Sequence, residues 1–245
     1  MKKIILTILV FLSAQCCFCQ SVPKRLEITH LTGDFYVYVT YNLYKGSMLP
    51  ANGMYVVTDN GVILIDSPWD TTQFQPLLDS IQSRHRQPVV LCIATHFHED
   101  RTGGLEYYKN KGIKTFTSTQ TDKLSRAKGM KRAEFLLAND TVFTIGQHRF
   151  ETYFPGKGHA PDNIVLWFGK EKILYGGCLI KSVADTSLGN LSDASVTDYP
   201  WTIKKIQQKF VGPRYIITGH NNWTDTGSLA HTLQMAVQVK EKNHH

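Results

Sequence analysis

Two histidines and an aspartate at spacings of two residues follow an apolar run directly. His96, His98 and Asp100 come straight after the segment VVLCIAT, whose apolar composition predicts a strand that is buried on both faces. Imidazole and carboxylate groups are common metal ligands, and functional groups tend to collect in loops at strand ends. The run therefore predicts a metal site at the end of a buried strand, with the chain turning after His96.

Three further candidate ligands lie at wide intervals along the chain. His159 in GKGHAPDN, Cys178 in YGGCLIK and His220 in IITGHNNW each stand where a strand pattern breaks into a loop that contains glycine. A thiolate among imidazoles and carboxylates favours zinc over magnesium or calcium. Six ligands of these types suit two Zn²⁺ ions that keep open positions, which indicates hydrolytic chemistry rather than a structural metal site.

The chain begins with a segment that is typical of a secretory signal peptide. Lys2 and Lys3 precede the apolar run IILTILVFL, and small residues follow it, with cleavage expected after Cys19. The apolar run is too short for a comfortable transmembrane helix, so we expect no stable membrane association. Lipid attachment at one of the crowded cysteines is the alternative, although the residues before them are not the usual small ones. We expect a periplasmic protein that consists of residues 20–245.

Removal of residues 1–19 leaves Cys92 and Cys178 from the five cysteines of the chain. In a secreted protein these two could form a disulfide. However, Cys92 lies within the predicted strand VVLCIAT, whereas Cys178 follows two glycines and the strand ILY. We therefore interpret Cys92 as an inert core residue and Cys178 as a metal ligand.

The charge balance is mildly basic. The net charge of +7 falls to about +5 once Lys2 and Lys3 are removed. No dense stripe of lysine and arginine with interleaved aromatic residues is present, which argues against binding to nucleic acid. A mild positive field suits a small anionic substrate, and it equally suits solubility alone.

The hydrophobic pattern predicts an α/β fold. Four strand patterns fill residues 26–67, and a helix follows in which Phe74, Leu77 and Ile81 share one face, with Asp70 as the N-cap. The second half repeats this order loosely and ends in a helix from about Asp225 to Lys240. Further helices are expected near 105–111, 121–129 and 197–210. Strands with flanking helices in both halves predict a four-layer α-β-β-α sandwich, formed by one domain of two similar halves.

These motifs resemble the metallo-β-lactamase superfamily, and specifically its subclass B1. The segments LIDSPWD, HFHEDRTGG, GKGHAPDNIVLWF, YGGCLIKS, LGNLSDA and ITGHNNW occur in the order that is typical of this family. Arg101 stands where related hydrolases usually carry another histidine, and His96 stands where the mono-zinc subclass B2 has asparagine. Cys178 occupies a position where many members of the superfamily use aspartate.

The resemblance implies a di-zinc centre. It implies that His96, His98 and His159 bind the first zinc, and that Asp100, Cys178 and His220 bind the second. Asp66 and Arg101 resemble residues that support these ligands. The fold implied is the metallo-β-lactamase sandwich, in agreement with the hydrophobic pattern.

The resemblance also implies roles in catalysis and substrate binding. Asp100 and Asn190 resemble catalytic residues that orient the attacking water and lie near the lactam carbonyl. Lys181 matches a lysine that pairs with the substrate carboxylate, Trp69 matches an aromatic residue that lines the pocket, and residues 44–53 match a mobile hairpin that closes over substrate. From the residues alone, Lys181 could instead be a solvated surface residue, Asn190 a turn residue and Trp69 a core residue.

The implied activity is zinc-dependent hydrolysis of the β-lactam amide bond in penicillins, cephalosporins and carbapenems. Monobactams are expected not to be hydrolysed. The expected oligomeric state is a monomer. Two alternatives come from the ligand pattern. Another zinc hydrolase, such as a thioesterase or a lactonase, would use the same fold. A periplasmic zinc-storage protein would use the same ligands without turnover, but six ligands around two open sites with a lysine beside them exceed what storage needs.

Overall fold

The computed structural model describes residues 26–138 and 140–242. The predicted signal segment 1–19 and the terminal His244 and His245 lie outside the described residues. Within the described part of the chain, no helix is both long and apolar enough to cross a bilayer.

The first half of the chain forms the first sheet, in which the strands lie side by side in sequence order. Its first four strands pair antiparallel with one another, and the fourth to the seventh strands pair parallel. Across the sheet the strands are β1 (Leu26–Thr32), β2 (Phe35–Tyr44), β3 (Ser47–Thr58), β4 (Gly61–Ile65), β5 (Val89–Ile93), β6 (Lys114–Ser118) and β7 (Phe135–Leu137).

The second sheet takes the second half of the chain. Its strand order is β12-β11-β10-β9-β8, in which only the β11 and β12 pair is parallel among the described strands. The strands are β8 (Val142–Ile145), β9 (His148–Tyr153), β10 (Val165–Phe168), β11 (Ile173–Gly177) and β12 (Tyr215–Thr218).

The two sheets pack face to face over a shared apolar core. Because side chains alternate between the faces of a strand, β4 sends Ile63 and Ile65 into this core and Val62 and Leu64 to its outer face. In β11, Tyr175 points in the same inward direction and reaches the same core. Both halves of the chain therefore contribute to one central layer of apolar side chains.

Helices cover the outer face of each sheet. The outer layer of the first sheet contains side chains of two helices from the first half of the chain, and the outer layer of the second sheet contains side chains of two helices from the second half. The three apolar layers separate four layers of secondary structure, which confirms the predicted α-β-β-α sandwich. The helices are α1 (Phe74–His85), α2 (Glu99–Thr102), α3 (Leu105–Asn110), α4 (Thr119–Lys128), α5 (Tyr199–Lys209) and α6 (Ser228–Lys242).

The pattern-based assignments differ from the structure in a few places. A 3₁₀ turn, Thr71–Gln73, precedes α1, and Asp70 caps that turn by accepting a hydrogen bond from Thr72 N. The final helix begins at Ser228 rather than near Asp225. Strands β6 and β7 were not predicted, because β6 is rich in threonine and β7 has only three residues.

The carboxyl ends of four inner strands meet at one edge of the sandwich. Parallel strands of a sheet end on the same side, so β4 and β5 deliver their following loops to the edge where β11 and β12 end. The two sheets are joined there, because Asn52 N donates a hydrogen bond to Gly219 O at 2.8 Å and Ala51 forms a bridge with His220. The predicted ligands follow these strand ends.

Candidate metal centre

Asp66 fixes the chain where the ligand-bearing segment leaves β5. Its carboxylate accepts hydrogen bonds from the Thr95 amide at 2.8 Å, from the Thr95 hydroxyl at 3.0 Å and from the Tyr175 hydroxyl at 2.7 Å. Burial raises the pKa of Asp66 to about 6, against an opposing effect of the Arg101 guanidinium. Beyond this anchor the chain turns, and α2 begins after His98, its N-cap residue.

Three histidine nitrogens converge beside this turn. His96 Nε2 lies 3.1 Å from His98 Nδ1, which lies 3.2 Å from His159 Nε2. Burial lowers the pKa of His96 and His159 well below its usual value, so these two rings are neutral. Zinc–nitrogen bonds of about 2.0–2.1 Å produce nitrogen separations of this size. The three converging nitrogens therefore fit one zinc ion.

A second group of ligand atoms lies next to the first. Asp100 Oδ2 lies 3.1 Å from His220 Nε2, and the Cys178 sulfur lies 3.4 Å from that oxygen and 3.3 Å from that nitrogen. Ligand atoms of His96, Asp100 and Cys178 also lie within 4.8 Å of one another, so the two groups share one cavity. The distances divide the six residues into the two groups that the family resemblance implies.

The second group attracts positive charge. Burial acts to raise the pKa of Asp100, but Arg101 and His220 outweigh it and hold this pKa well below its usual value. Burial acts to lower the pKa of His220, but Cys178 and Asp100 outweigh it and raise this pKa to about 9. The second group of ligand atoms therefore keeps its carboxylate ionised and favours the protonated form of its histidine. Such an environment favours positive charge and fits a divalent cation.

Arg101 contacts the second group of ligand atoms from the interior of the protein. It is only 1% exposed, and it donates hydrogen bonds to Asn52 O at 2.7 Å and Gly219 O at 2.8 Å. Its Nε donates to the Cys178 sulfur at 3.2 Å, and Nη2 lies 3.0 Å from Asp100 Oδ2. The planar guanidinium serves all these acceptors at once, which the single ammonium of lysine would not do.

Two oxygen atoms orient ligand rings, and sequence reasoning missed both. His98 Nε2 lies 3.2 Å from Asp193 Oδ2, and His220 Nδ1 donates to Pro50 O at 2.8 Å. Each contact turns the other ring nitrogen toward the cavity, as such partners do for metal-binding histidines. Asp193 lies in the LGNLSDA segment, but its spacing carries no ligand pattern. The Pro50 carbonyl is a backbone group 170 residues from its partner, so only the fold reveals it.

A cavity of about 630 Å³ opens beside both ligand groups. Lys181, Asn190 and Trp69, the residues expected to contact substrate, all line it. Lys181 is only 7% exposed, so it is not a solvated surface residue. Burial lowers the pKa of its ammonium, against an opposing effect of Cys178. Among the described residues, no carboxylate forms a direct ion pair with it, and Cys178, Asp185 and Asp100 act on its charge only from a distance.

Trp69 lies between the metal ligands and the hairpin. Its ring centroid is 5.9 Å from that of His220 and 5.7 Å from that of Tyr44. The hairpin of β2 and β3 stays paired to its tip, where Met48 is 50% exposed, whereas Leu49 is half-buried and lines the cavity. Trp69 therefore contributes to the cavity wall rather than to the core.

Asn190 is exposed at the mouth of the cavity. Its Oδ1 accepts a hydrogen bond from Ser192 N at 3.1 Å, so Asn190 also stabilises a turn, which is the alternative role that the sequence left open.

Cys178 and Cys92 are both buried free thiols, and no disulfide joins them. Gly219 is required beside Cys178, because a Cβ there would lie 2.5 Å from the Cys178 nitrogen.

Comparison with known proteins agrees with this geometry. Residues 47–220 match the family model described as Metallo-beta-lactamase superfamily. The chain is 41% identical over 225 residues to "Metallo-beta-lactamase type 2" of Elizabethkingia meningoseptica, covering 92% of this chain and 90% of that protein. It is 39% identical to "Metallo-beta-lactamase IND-1" of Chryseobacterium indologenes, covering 84% of this chain and 86% of the other.

A solved structure gives the same result for the fold. The metallo-beta-lactamase from Pontibacter korlensis superimposes with a TM-score of 0.84 at 35% sequence identity. The superposition covers 87% of this chain and 99% of that one. The similarity therefore extends over both sheets and the cavity between their strand ends.

Proposed function

The chain belongs to the metallo-β-lactamase superfamily, and from this premise we propose that it hydrolyses the amide bond of β-lactam antibiotics with two zinc ions. The chain is close to B1 enzymes such as the type 2 and IND-1 relatives, in agreement with the subclass expected from Arg101 and Cys178. Hydrolysis of penicillins, cephalosporins and carbapenems would give resistance to these drugs.

One observation carries the proposal: a buried ammonium, which forms no direct ion pair with a described carboxylate, lies beside the two groups of ligand atoms. Lys181 lines the same cavity as His98, Asp100 and Cys178. Burial of a cation without a direct ion pair is costly, and an anionic group that enters the cavity and contacts the ammonium reduces this cost. Penicillins, cephalosporins and carbapenems carry a carboxylate close to their lactam ring. Lys181 would bind this carboxylate and so position the lactam carbonyl over the ligand groups.

His96, His98 and His159 would hold one zinc ion, and Asp100, Cys178 and His220 the other. Zinc at such sites acidifies a water molecule to near-neutral pKa and stabilises the negative charge that develops during hydrolysis. Asp100 remains ionised, because Arg101 and His220 hold its pKa low. Its carboxylate can therefore accept a hydrogen bond from the attacking water and orient it.

The remaining cavity residues would orient the substrate. The side-chain amide of Asn190 would donate a hydrogen bond to the lactam carbonyl oxygen, where negative charge develops in the transition state. Trp69 and Leu49 would pack against the apolar parts of the substrate and exclude water around it. Cys178 does not act as a nucleophile in this proposal, because its sulfur is buried and contacts Arg101 and Asp100. We therefore expect no covalent intermediate with the protein.

We also infer the cellular location and the oligomeric state of the enzyme. The pattern of residues 1–19 favours export to the periplasm, and we expect a monomer that binds neither nucleic acid nor, stably, a membrane. Light scattering of the mature chain tests the monomer, and cell fractionation tests the location.

One assay tests the proposal against both alternatives. Mature protein loaded with zinc should hydrolyse a chromogenic cephalosporin and a carbapenem, a chelator should abolish the activity, and added zinc should restore it. Thioester or lactone hydrolysis without β-lactam hydrolysis would favour a different zinc hydrolase. Tight binding of two zinc ions without any turnover would favour a storage protein.

A further inference from the structure

The turn that carries Lys181 is held by α6 at both of its ends. This turn comprises residues 181–185, which lie between β11 and α5. At its first end, Lys181 N donates a hydrogen bond to Thr232 Oγ1 at 2.8 Å. At its last end, His231 Nε2 donates to Asp185 O at 2.7 Å. Both partners belong to α6, so this helix determines where the turn lies.

The hydroxyl of Thr232 is oriented by its own helix. Thr232 is 0% exposed, and its hydroxyl donates to Ser228 O, one helical turn earlier, at 2.7 Å. A hydroxyl has one proton to donate and two lone pairs that accept. Because Ser228 O takes the proton, a lone pair remains for the Lys181 amide, whereas Lys181 O lies farther away at 3.4 Å. Thr232 is therefore a preset acceptor for this amide.

Hydrogen bonds within the turn make it a compact unit. Asp185 N donates to Ser182 O at 3.0 Å, and Ser182 N donates to Asp185 Oδ2 at 2.9 Å. Ala184 N donates to Ser182 Oγ at 3.2 Å. The helix below it is fixed as well, because Leu229 and Met235 of α6 pack in the apolar layer outside the second sheet. The turn thus lies on a rigid support.

The position of the Lys181 backbone matters because the ammonium has to reach a defined place. Lysine carries a single point charge on a flexible stem, so the side chain itself does not fix that place. Lys181 is 7% exposed and lines the cavity, so its path from the backbone to the cavity is confined. Misplacement of a group by about 1 Å can lower a rate by about 100-fold. A shift of the turn therefore affects substrate binding.

We propose that Thr232 is a positioning residue for substrate binding: its hydroxyl fixes the Lys181 amide and so places the ammonium where the substrate carboxylate requires it. The proposal rests on the proposed function, in which Lys181 binds that carboxylate. Without the hydroxyl, the Lys181 amide would be buried without its acceptor, which is unfavourable. The turn would then shift until the amide finds another partner, and the ammonium would shift with it. Thr232 does not line the cavity, so it acts through Lys181.

Three substitutions of Thr232 test this role. Thr232→Val removes the hydroxyl and keeps the shape, so KM for benzylpenicillin should rise about tenfold while kcat changes by less than about threefold. The methyl ester of benzylpenicillin lacks the carboxylate, and variant and wild type should hydrolyse it with similar kcat/KM. Thr232→Ser keeps the hydroxyl and should restore KM to within about twofold of wild type. Thr232→Ala lacks hydroxyl and methyl groups and should raise KM as Thr232→Val does, so the test does not depend on one variant folding.

Thr58→Val is the matched control. Thr58 is 1% exposed, and its hydroxyl accepts from Asn60 N at 3.1 Å and donates to Gly61 O at 2.7 Å. It ends β3 at the edge of the sandwich opposite the ligands. Loss of the same two kinds of hydrogen bond there should leave KM unchanged. Zinc content and the urea midpoint are measured for every variant, so that loss of metal or of fold is recognised.

A double-mutant cycle separates positioning from a general structural role. In the Lys181→Gln background the ammonium is absent, so Thr232→Val should alter KM by less than about twofold. A rise of about tenfold in that background would overturn the inference. An unchanged KM in Thr232→Val, or an equal loss for benzylpenicillin and its methyl ester, would also overturn it. Failure of the wild-type protein to hydrolyse benzylpenicillin would instead overturn the proposed function.

Discussion

The Arg101 guanidinium donates a hydrogen bond to the Cys178 sulfur at 3.2 Å across 77 residues of sequence. Arg101 follows β5 of the first sheet, and Cys178 follows β11 of the second. The second ligand group therefore exists only when the two sheets are packed together. Binding of zinc there and folding of the sandwich should stabilise each other.

Arg101→Lys should weaken the second metal site. Lysine keeps the positive charge, but it lacks the planar guanidinium whose N–H groups donate hydrogen bonds to Asn52 O, Gly219 O and the Cys178 sulfur at the same time. Loss of such supporting contacts typically lowers metal affinity about 10–100-fold. Competition with a chromophoric zinc chelator measures this affinity. Unchanged affinity in a folded variant would show that Arg101 does not support the site.

Cys178→Ser should reduce the zinc content from two ions to one at limiting zinc. A neutral hydroxyl is a much poorer zinc ligand than a thiolate, while the three-histidine group remains intact. Metal analysis after gel filtration measures the stoichiometry. Cys92→Ser is the matched control, because Cys92 is equally buried but lies in the apolar layer outside the first sheet. Retention of two zinc ions by Cys178→Ser would contradict the ligand assignment.

The convergence of the candidate ligands was predictable from the sequence because they follow recognisable strand patterns. His96 follows an apolar run, and Cys178 and His220 follow short apolar segments that end in glycine. The contacts that support them were not predictable. Asp193 reaches His98 only because the loop after β11 folds back, and Pro50 acts through its backbone carbonyl. Such partners depend on tertiary packing, for which spacing in the sequence carries no information.

The same limit applies to secondary structure. Short apolar runs bounded by turn residues predicted β4 and β11, and the side chains of each strand contribute to two apolar layers of the core. The polar strand β6 was missed, because three of its five residues are Thr or Ser and it forms through pairing with β5 and β7. Pairing with neighbours that are distant in sequence decided its conformation.

Lys181→Gln should raise KM with a smaller effect on kcat. The glutamine side chain is neutral and cannot replace the ammonium as the partner of the substrate carboxylate, so kcat/KM should fall by about 10–100-fold. Steady-state kinetics on benzylpenicillin measure the change. Its methyl ester, which lacks the carboxylate, serves as the control, and wild type and variant should hydrolyse the ester at similar rates. An equal loss for acid and ester would contradict the assigned role.

Asp162→Asn should change how stability depends on pH. Burial raises the pKa of Asp162 from 3.8 to about 7, against a smaller opposing effect of the Thr121 hydroxyl. The folded state therefore keeps a proton that the unfolded state releases, and this group makes the protein less stable as pH rises from about 4 to 7. The variant lacks this titration.

The free energy of unfolding, measured in urea on the zinc-loaded protein, provides the test. Relative to wild type, Asp162→Asn should gain more than about 1 kcal/mol between pH 5 and pH 8. Asp79→Asn, at an exposed position on α1, is the matched control for replacing a carboxyl group by an amide. A difference between Asp162→Asn and wild type that is the same at pH 5 and pH 8 would mean that Asp162 does not titrate in this range.

Anomalous diffraction from crystals of the zinc-loaded protein, recorded on both sides of the zinc absorption edge, tests the division of the ligands most directly. Two separate peaks are predicted, one within bonding distance of His96, His98 and His159, and the other within bonding distance of Asp100, Cys178 and His220. A single peak at full zinc loading, or two peaks with the six ligands divided differently, would contradict the account.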